Sequence, residues 1–131
     1  MSYECKHVIR YHDDKLNTRE NIKKLNDAMG KVCQYGKFVI GSEGNCISDS
    51  NWNSGFGLTW YDQDYEMEEL TKVIKEDLVC YTMDENSNEH YQFALCETLY
   101  DEDGRYDYFE NTDDENDKNM FYNLWNTTIK N

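Results

Sequence analysis

Several residue groups in this chain have types and spacings that chemistry can use. Cys5-Lys-His7, with His12 close behind, is the tightest set of zinc-ligand types. Zinc sites are built from Cys and His at short paired spacings, and on a strand Cys5 and His7 fall on one face. The remaining cysteines, Cys33, Cys46, Cys80 and Cys96, stand singly, so two side chains on a packed strand face explain the pair more simply. Cys46 follows Gly44-Asn45 in a polar stretch, and His90 is its candidate base. Nucleophilic catalysis needs such a pair plus an orienting acid, and no local signature joins these two residues.

Phosphate cradles need a Gly-rich turn with Lys and Ser/Thr at a helix start. Gly41-Ser-Glu-Gly44 has no Lys behind it and places Glu43 where phosphate would sit. It reads as a flexible loop. Calcium loops of the EF-hand type need oxygen ligands at alternate positions, a central Gly and a closing Glu. Counted from Asp84, the Gly position holds Glu89 and the closing position Leu95; counted from Asp101, the closing position holds Thr112. Both fail, and a solvated acidic turn explains Asp101, Asp103 and Asp107 better than an irregular cation site. No catalytic residue, metal or cofactor is expected, and the chain reads as a binding protein rather than an enzyme.

One feature rises above this background. Residues 100–117, Tyr-Asp-Glu-Asp-Gly-Arg-Tyr-Asp-Tyr-Phe-Glu-Asn-Thr-Asp-Asp-Glu-Asn-Asp, mix dense acids with tyrosine. Phosphates recur about every 3.4 Å along one DNA strand. Alternate residues of a β-strand lie about 6.6–6.8 Å apart on one face, and residues i and i+4 of a helix rise by about 6 Å. Rows of carboxylates on such elements therefore approximate phosphate spacing. The candidate partner-binding residues are Asp101, Glu102, Asp103, Asp107, Glu110, Asp113, Asp114, Glu115 and Asp117.

Charge is unevenly spread. Residues 1–40 hold eight Lys/Arg against five acids, whereas residues 41–131 hold five against 22. The stretch 84–117 alone carries 13 acids and a single base, Arg105. The whole is net −14, which argues against binding nucleic acid through Lys and Arg and against docking on anionic lipid. Direct DNA binding is not expected. At 131 residues the length suits one domain, and aromatics at 15% argue against global disorder. The polar N-terminus lacks a signal-peptide run, and the longest clean apolar run, Phe38–Ile40, is far too short to span a membrane. Five widely spaced cysteines read as reduced thiols in a cytoplasmic protein. Abundant Asn, Lys and Tyr with no Pro fit an A+T-rich gene, as in low-GC bacteria and their phages.

The elements that must carry these residues read as β-α-β-β-α-β-β-β-α. Alternation predicts a strand over 3–11. Asn17-Thr-Arg-Glu20 resembles a capping box, and Ile22, Leu25, Met29, Val32 and Cys33 follow at helical spacing, with Gly36 as a stop. A strand is expected at 37–40, a long polar loop at 41–55 and a strand at 55–61. A helix follows over 64–77 through Met67, Leu70, Val73 and Ile74, then strands at 78–83 and 90–99 joined by 84–89. Asp101–Gly104 is a turn signal before a strand at 105–110. Thr112-Asp-Asp-Glu115 opens a last helix carrying Met120, Phe121, Leu124 and Trp125. The expected fold is a single α+β domain, a largely antiparallel sheet with about three helices packed on one face.

In composition the chain resembles small, acidic, Pro-poor, Tyr- and Asn-rich inhibitors encoded by phages that mimic DNA, of the anti-CRISPR and anti-restriction type. The resemblance spans the whole chain, centres on its acidic half and rests on no motif. It implies a protein partner with a basic nucleic-acid-binding groove, in the cytoplasm of a bacterial host. The basic first 40 residues depart from that pattern: Arg19, Lys23 and Lys24 cluster on the first expected helix, where they could pair with the acidic half or touch a target. An immunity protein or antitoxin that neutralises a basic toxin obeys the same electrostatics, and an acidic accessory domain without mimicry is the plainest alternative. A small enzyme using Cys46, or self-association through Trp52, Trp60, Tyr61 and Tyr65, completes the range of readings.

Overall fold

The computed structural model describes residues 5–33, 38–49, 63–84, 92–100, 105–106 and 110–111, together with Asn119 and Asn123. Strand β1 (Cys5–Tyr11) leads through a single 3-10 turn at Asp14–Leu16 into helix α1 (Arg19–Val32). Short strands β2 (Phe38–Ile40) and β3 (Ile47–Asp49) follow, then helix α2 (Gln63–Ile74). Strands β4 (Leu78–Asp84), β5 (Gln92–Leu99), β6 (Arg105–Tyr106) and β7 (Glu110–Asn111) complete the described order. All pair into one sheet, β2-β3-β1-β4-β5-β6, with β7 also on β5. Each pairing is antiparallel, so the α+β class expected from the sequence is the fold.

The central ladder joins β1 to β4, from Cys5 opposite Asp84 to Tyr11 opposite Leu78. Residues directly opposite share a face, which puts His7, Ile9 and Tyr11 with Thr82, Cys80 and Leu78. Both helices pack on that face. Ile22, Leu25, Ala28 and Met29 of α1 and Met67 and Leu70 of α2 close over Ile9, Tyr11, Ile47, Leu78 and Cys80. Val8, Val79 and Tyr81, on the opposite face, are buried as well. This explains why Val8 interrupts the polar side of β1 and why β4 reads as an almost unbroken apolar run: central strands covered on both faces need no polar side.

The helix ends show local chemistry at work. Thr18 caps α1, accepting a hydrogen bond from the Asn21 N–H, so the cap lies one residue beyond the expected Asn17. Asn17 is taken by β1 instead: it accepts from the Tyr11 N–H at 2.9 Å and donates to the Tyr11 carbonyl at 3.1 Å. Helix α1 stops at Cys33, whose N–H reaches the Met29 carbonyl, before the expected Gly36. Helix α2 stops at Ile74 rather than 77, because Lys75 turns to φ 63° while its N–H still reaches Thr71.

One expectation is corrected. The polar loop at 41–55 contains β3, which inserts between β2 and β1; Ser48 and Asp49 are fully buried there, and polarity had hidden the strand. Gly41–Cys46 is a tight hairpin closed by the Gly41 N–H to the Cys46 carbonyl. Gly44 takes φ 70° in it, and a Cβ there would lie 2.6 Å from the Arg19 side chain. Of the strand expected at 105–110, Arg105, Tyr106 and Glu110 are described, and all three are strand. Tyr106 pairs with Thr98 and Glu110 with Leu95, four steps along the chain against three on β5. Two α-helices are described against about three expected. Of the last one only Asn119 and Asn123 are described, and both are helical. The strand expected at 55–61 lies outside the described residues.

Candidate functional site

Of the acidic candidates, Glu110 lies in β7, paired with Leu95 of β5. Asp101, Glu102, Asp103, Asp107, Asp113, Asp114, Glu115 and Asp117 lie outside the described residues. The strands around them, β5, β6 and β7, form one margin of the sheet, and β2 forms the other. Helix α1 packs over β2 and β3, whereas α2 packs over β5 and β6. Helix α1 and strands β5, β6 and β7 therefore sit toward opposite margins.

Among the described bases of the first forty residues, the ion pairs are to near neighbours in the chain. Arg10 binds Asp14 at 3.0 Å and Lys24 approaches Glu20 at 3.9 Å, both one helical turn along the chain. Arg19 reaches the Ser42 carbonyl. Among the described residues, no Lys or Arg from this segment pairs with an acid of residues 41–131. Lys72 pairs with Glu68 and Glu69 on its own helix. His12 approaches Glu97 across the two charge regions, at 3.5 Å and half exposed.

The metal and nucleophile candidates are dispersed. His7 is 2% exposed in the core, while His12 lies beyond the end of β1 beside Glu97. Among the described residues no group of three His, Cys, Asp or Glu converges. Cys46 is fully buried, packed behind the hairpin rather than displayed in a polar loop; His90 lies outside the described residues. Tyr65 is exposed, and Trp52, Trp60 and Tyr61 lie outside the described residues. No helix among those described is long and apolar enough to cross a membrane.

Two arrangements escaped sequence reasoning. The first is a buried polar knot. The His7 N–H donates to Asp49 Oδ1 at 2.8 Å, and His7 Nδ1 lies 2.9 Å from Thr82 Oγ1. Gln63 Nε2 donates to the same Thr82 hydroxyl at 3.3 Å and lies 3.5 Å from Cys80 Sγ. The knot ties β1, β3, β4 and α2 together beneath the helices. His7 and Thr82 are buried within it, and Gln63 is partly buried at its α2 end. The alternation of β1 does put His7 on the Ile9 face; its partners are distant in sequence.

The second is a groove of about 480 Å³ between α1, the end of α2 and the turn into β4. Leu16, Ala28 and Ile74 line it, and Val73, at its rim, is 57% exposed. Lys24, Asp27 and Lys31 enter from one stripe of α1, and Glu76 enters from the turn. Tyr11 lies at the base, its hydroxyl donating to the Asn21 carbonyl at 2.9 Å. Burial raises the Tyr11 pKa, and the nearby Glu76 charge raises it further. The 22–25–29 spacing shows the inner face of α1, but a groove made with a distant turn has no such signature. No family model, curated protein or solved structure matches this chain.

Proposed function

We propose that this chain is a non-catalytic binding protein that occupies the basic nucleic-acid groove of a DNA-handling enzyme, an inhibitor of the anti-CRISPR or anti-restriction type acting inside a bacterial cell. It presents carboxylates where phosphates belong. The observation that carries this reading is the separation of charge. The stretch 84–117 holds 13 acids and one base, and two of the described bases of the N-terminal segment pair with near neighbours, Arg10 with Asp14 and Lys24 with Glu20. A field of net −14 repels itself and is a cost to the fold; a partner of opposite sign turns that cost into long-range attraction. Within that stretch, strands β6 and β7 are hydrogen-bonded to β5.

The test is competition. The protein is added to a panel of DNA-cleaving defence enzymes, RNA-guided nucleases among them, and DNA binding and cleavage are followed across a salt series. Displacement of DNA that fades steeply with salt supports phosphate mimicry. Charge reversal at Asp101, Asp103, Asp113 and Asp117 should then weaken binding while leaving the thermal melt in place. Full affinity in that variant, or inhibition indifferent to salt, overturns the reading.

A further inference from the structure

We propose that the groove between α1 and the turn after α2 receives an arginine side chain from a protein partner. That the donor is a protein rests on the binding function proposed above; the preference for a guanidinium rests on the groove itself. Leu16, Ala28 and Ile74 offer an apolar wall, against which the stem of a long cationic side chain can lie while its head stays polar. Asp27 and Glu76 enter the same space from different elements, and neither forms an ion pair with a described cation. Lys24 lines the groove too, with its Nζ 3.9 Å from Glu20 one turn back along α1. Lys31 opposes an incoming cation from about one turn farther along α1, and the field of the net −14 chain outweighs it at a distance.

Two separated carboxylates favour arginine over lysine. A guanidinium is a planar fork with five donors that can serve two acceptors at once, and it is weakly hydrated, so an apolar wall costs it little. An ammonium is a compact, strongly hydrated charge and suits one acceptor better. The raised pKa of the buried Tyr11 phenol, to which Glu76 contributes, agrees with Glu76 facing into the groove. The Tyr11 hydroxyl is already committed to the Asn21 carbonyl, leaving the carboxylates as the groove's recognition groups.

The experiment is an NMR titration of the whole chain, following the methyl groups of Ala28, Val73 and Ile74. The probes are N-acetylarginine methylamide, its lysine counterpart and its neutral isostere, N-acetylcitrulline methylamide. Saturable shifts with arginine, several-fold weaker ones with lysine and none with citrulline are expected. The double variant D27N/E76Q, checked for folding by its melt and by the remaining methyl signals, should weaken the arginine probe by about tenfold or more, since two charge-assisted hydrogen bonds are lost. K31Q should strengthen it. Citrulline binding as well as arginine, or no saturable shift with any probe, overturns the proposal. Neither result touches the salt-series competition, which involves no arginine probe; a target found there that binds the D27N/E76Q variant with full affinity would overturn the groove's role while leaving phosphate mimicry standing.

Discussion

Asn17 holds Tyr11 by both of its backbone groups, accepting from the N–H at 2.9 Å and donating to the carbonyl at 3.1 Å. A side-chain amide here completes the ladder where β1 runs out, and it fixes the point at which the chain turns toward α1. Asn17→Ala leaves a partly buried donor and acceptor without their partner, so stability should fall by about 1–3 kcal/mol. Asn17→Asp, which cannot donate to the carbonyl, should restore only part of the loss. Urea unfolding of both variants checks this, and a change below about 0.5 kcal/mol in either would show that the clasp is idle.

Thr82 serves two elements at once through one hydroxyl, bound by His7 and by Gln63. Thr82→Val keeps the shape and removes the hydroxyl, so the loss of two buried hydrogen bonds should cost about 1–3 kcal/mol. Thr82→Ser should retain most of the polar contribution. Equal melting of the valine variant and the parent would mean that the knot contributes nothing to stability.

Lys75 sits at φ 63°, where a non-glycine side chain costs about 1–2 kcal/mol. Glycine is the usual residue at this position after a helix. Lys75→Gly should therefore raise the melting temperature, one of the few substitutions in this chain expected to stabilise it. A lowered melting temperature would mean that the lysine side chain makes up for its backbone.

Tyr11 links stability to alkaline pH. Its folded pKa is raised above 10.0 by burial, with Glu76 adding to the shift. The folded state therefore holds the phenolic proton more tightly than the unfolded chain does, and this contribution is complete below the unfolded value. It declines as pH rises past that value toward the folded pKa. Tyr11→Phe should flatten this part of the stability profile, and Glu76→Gln, by lowering the folded pKa, should make the decline smaller and end it at lower pH. Unfolding curves measured from neutral pH to above 10 compare the three; identical alkaline slopes in parent and Tyr11→Phe would exclude Tyr11 as the source.

The sheet was legible where burial followed a period. Strands β1, β4 and β5 and both helices follow from the alternation of Ile9 and Tyr11 and from the helical spacing of Leu25 and Met29. Strand β3 was hidden because it is three residues long and buries Ser48 and Asp49, which composition reads as loop. The one-residue offset between Tyr106 and Glu110 was hidden because pairing register is set by the partner strand. The acids of residues 100–117 stand out by number alone, whereas Glu76 became a groove residue through a turn that brings it beside Tyr11, far away in sequence.

The order of the sheet also bears on how the chain assembles. Strand β1 precedes every other described element, yet it lies at the centre and takes β4 as its longest neighbour, with Cys5 opposite Asp84. The local unit β1–α1–β2–β3 can collapse early, but it carries an open edge along β1 until β4 emerges from the ribosome. Pairings this distant slow folding, and an uncovered edge invites wrong partners meanwhile. The charge of net −14 gives little defence during that wait, because the 13 acids of residues 84–117 have yet to be made.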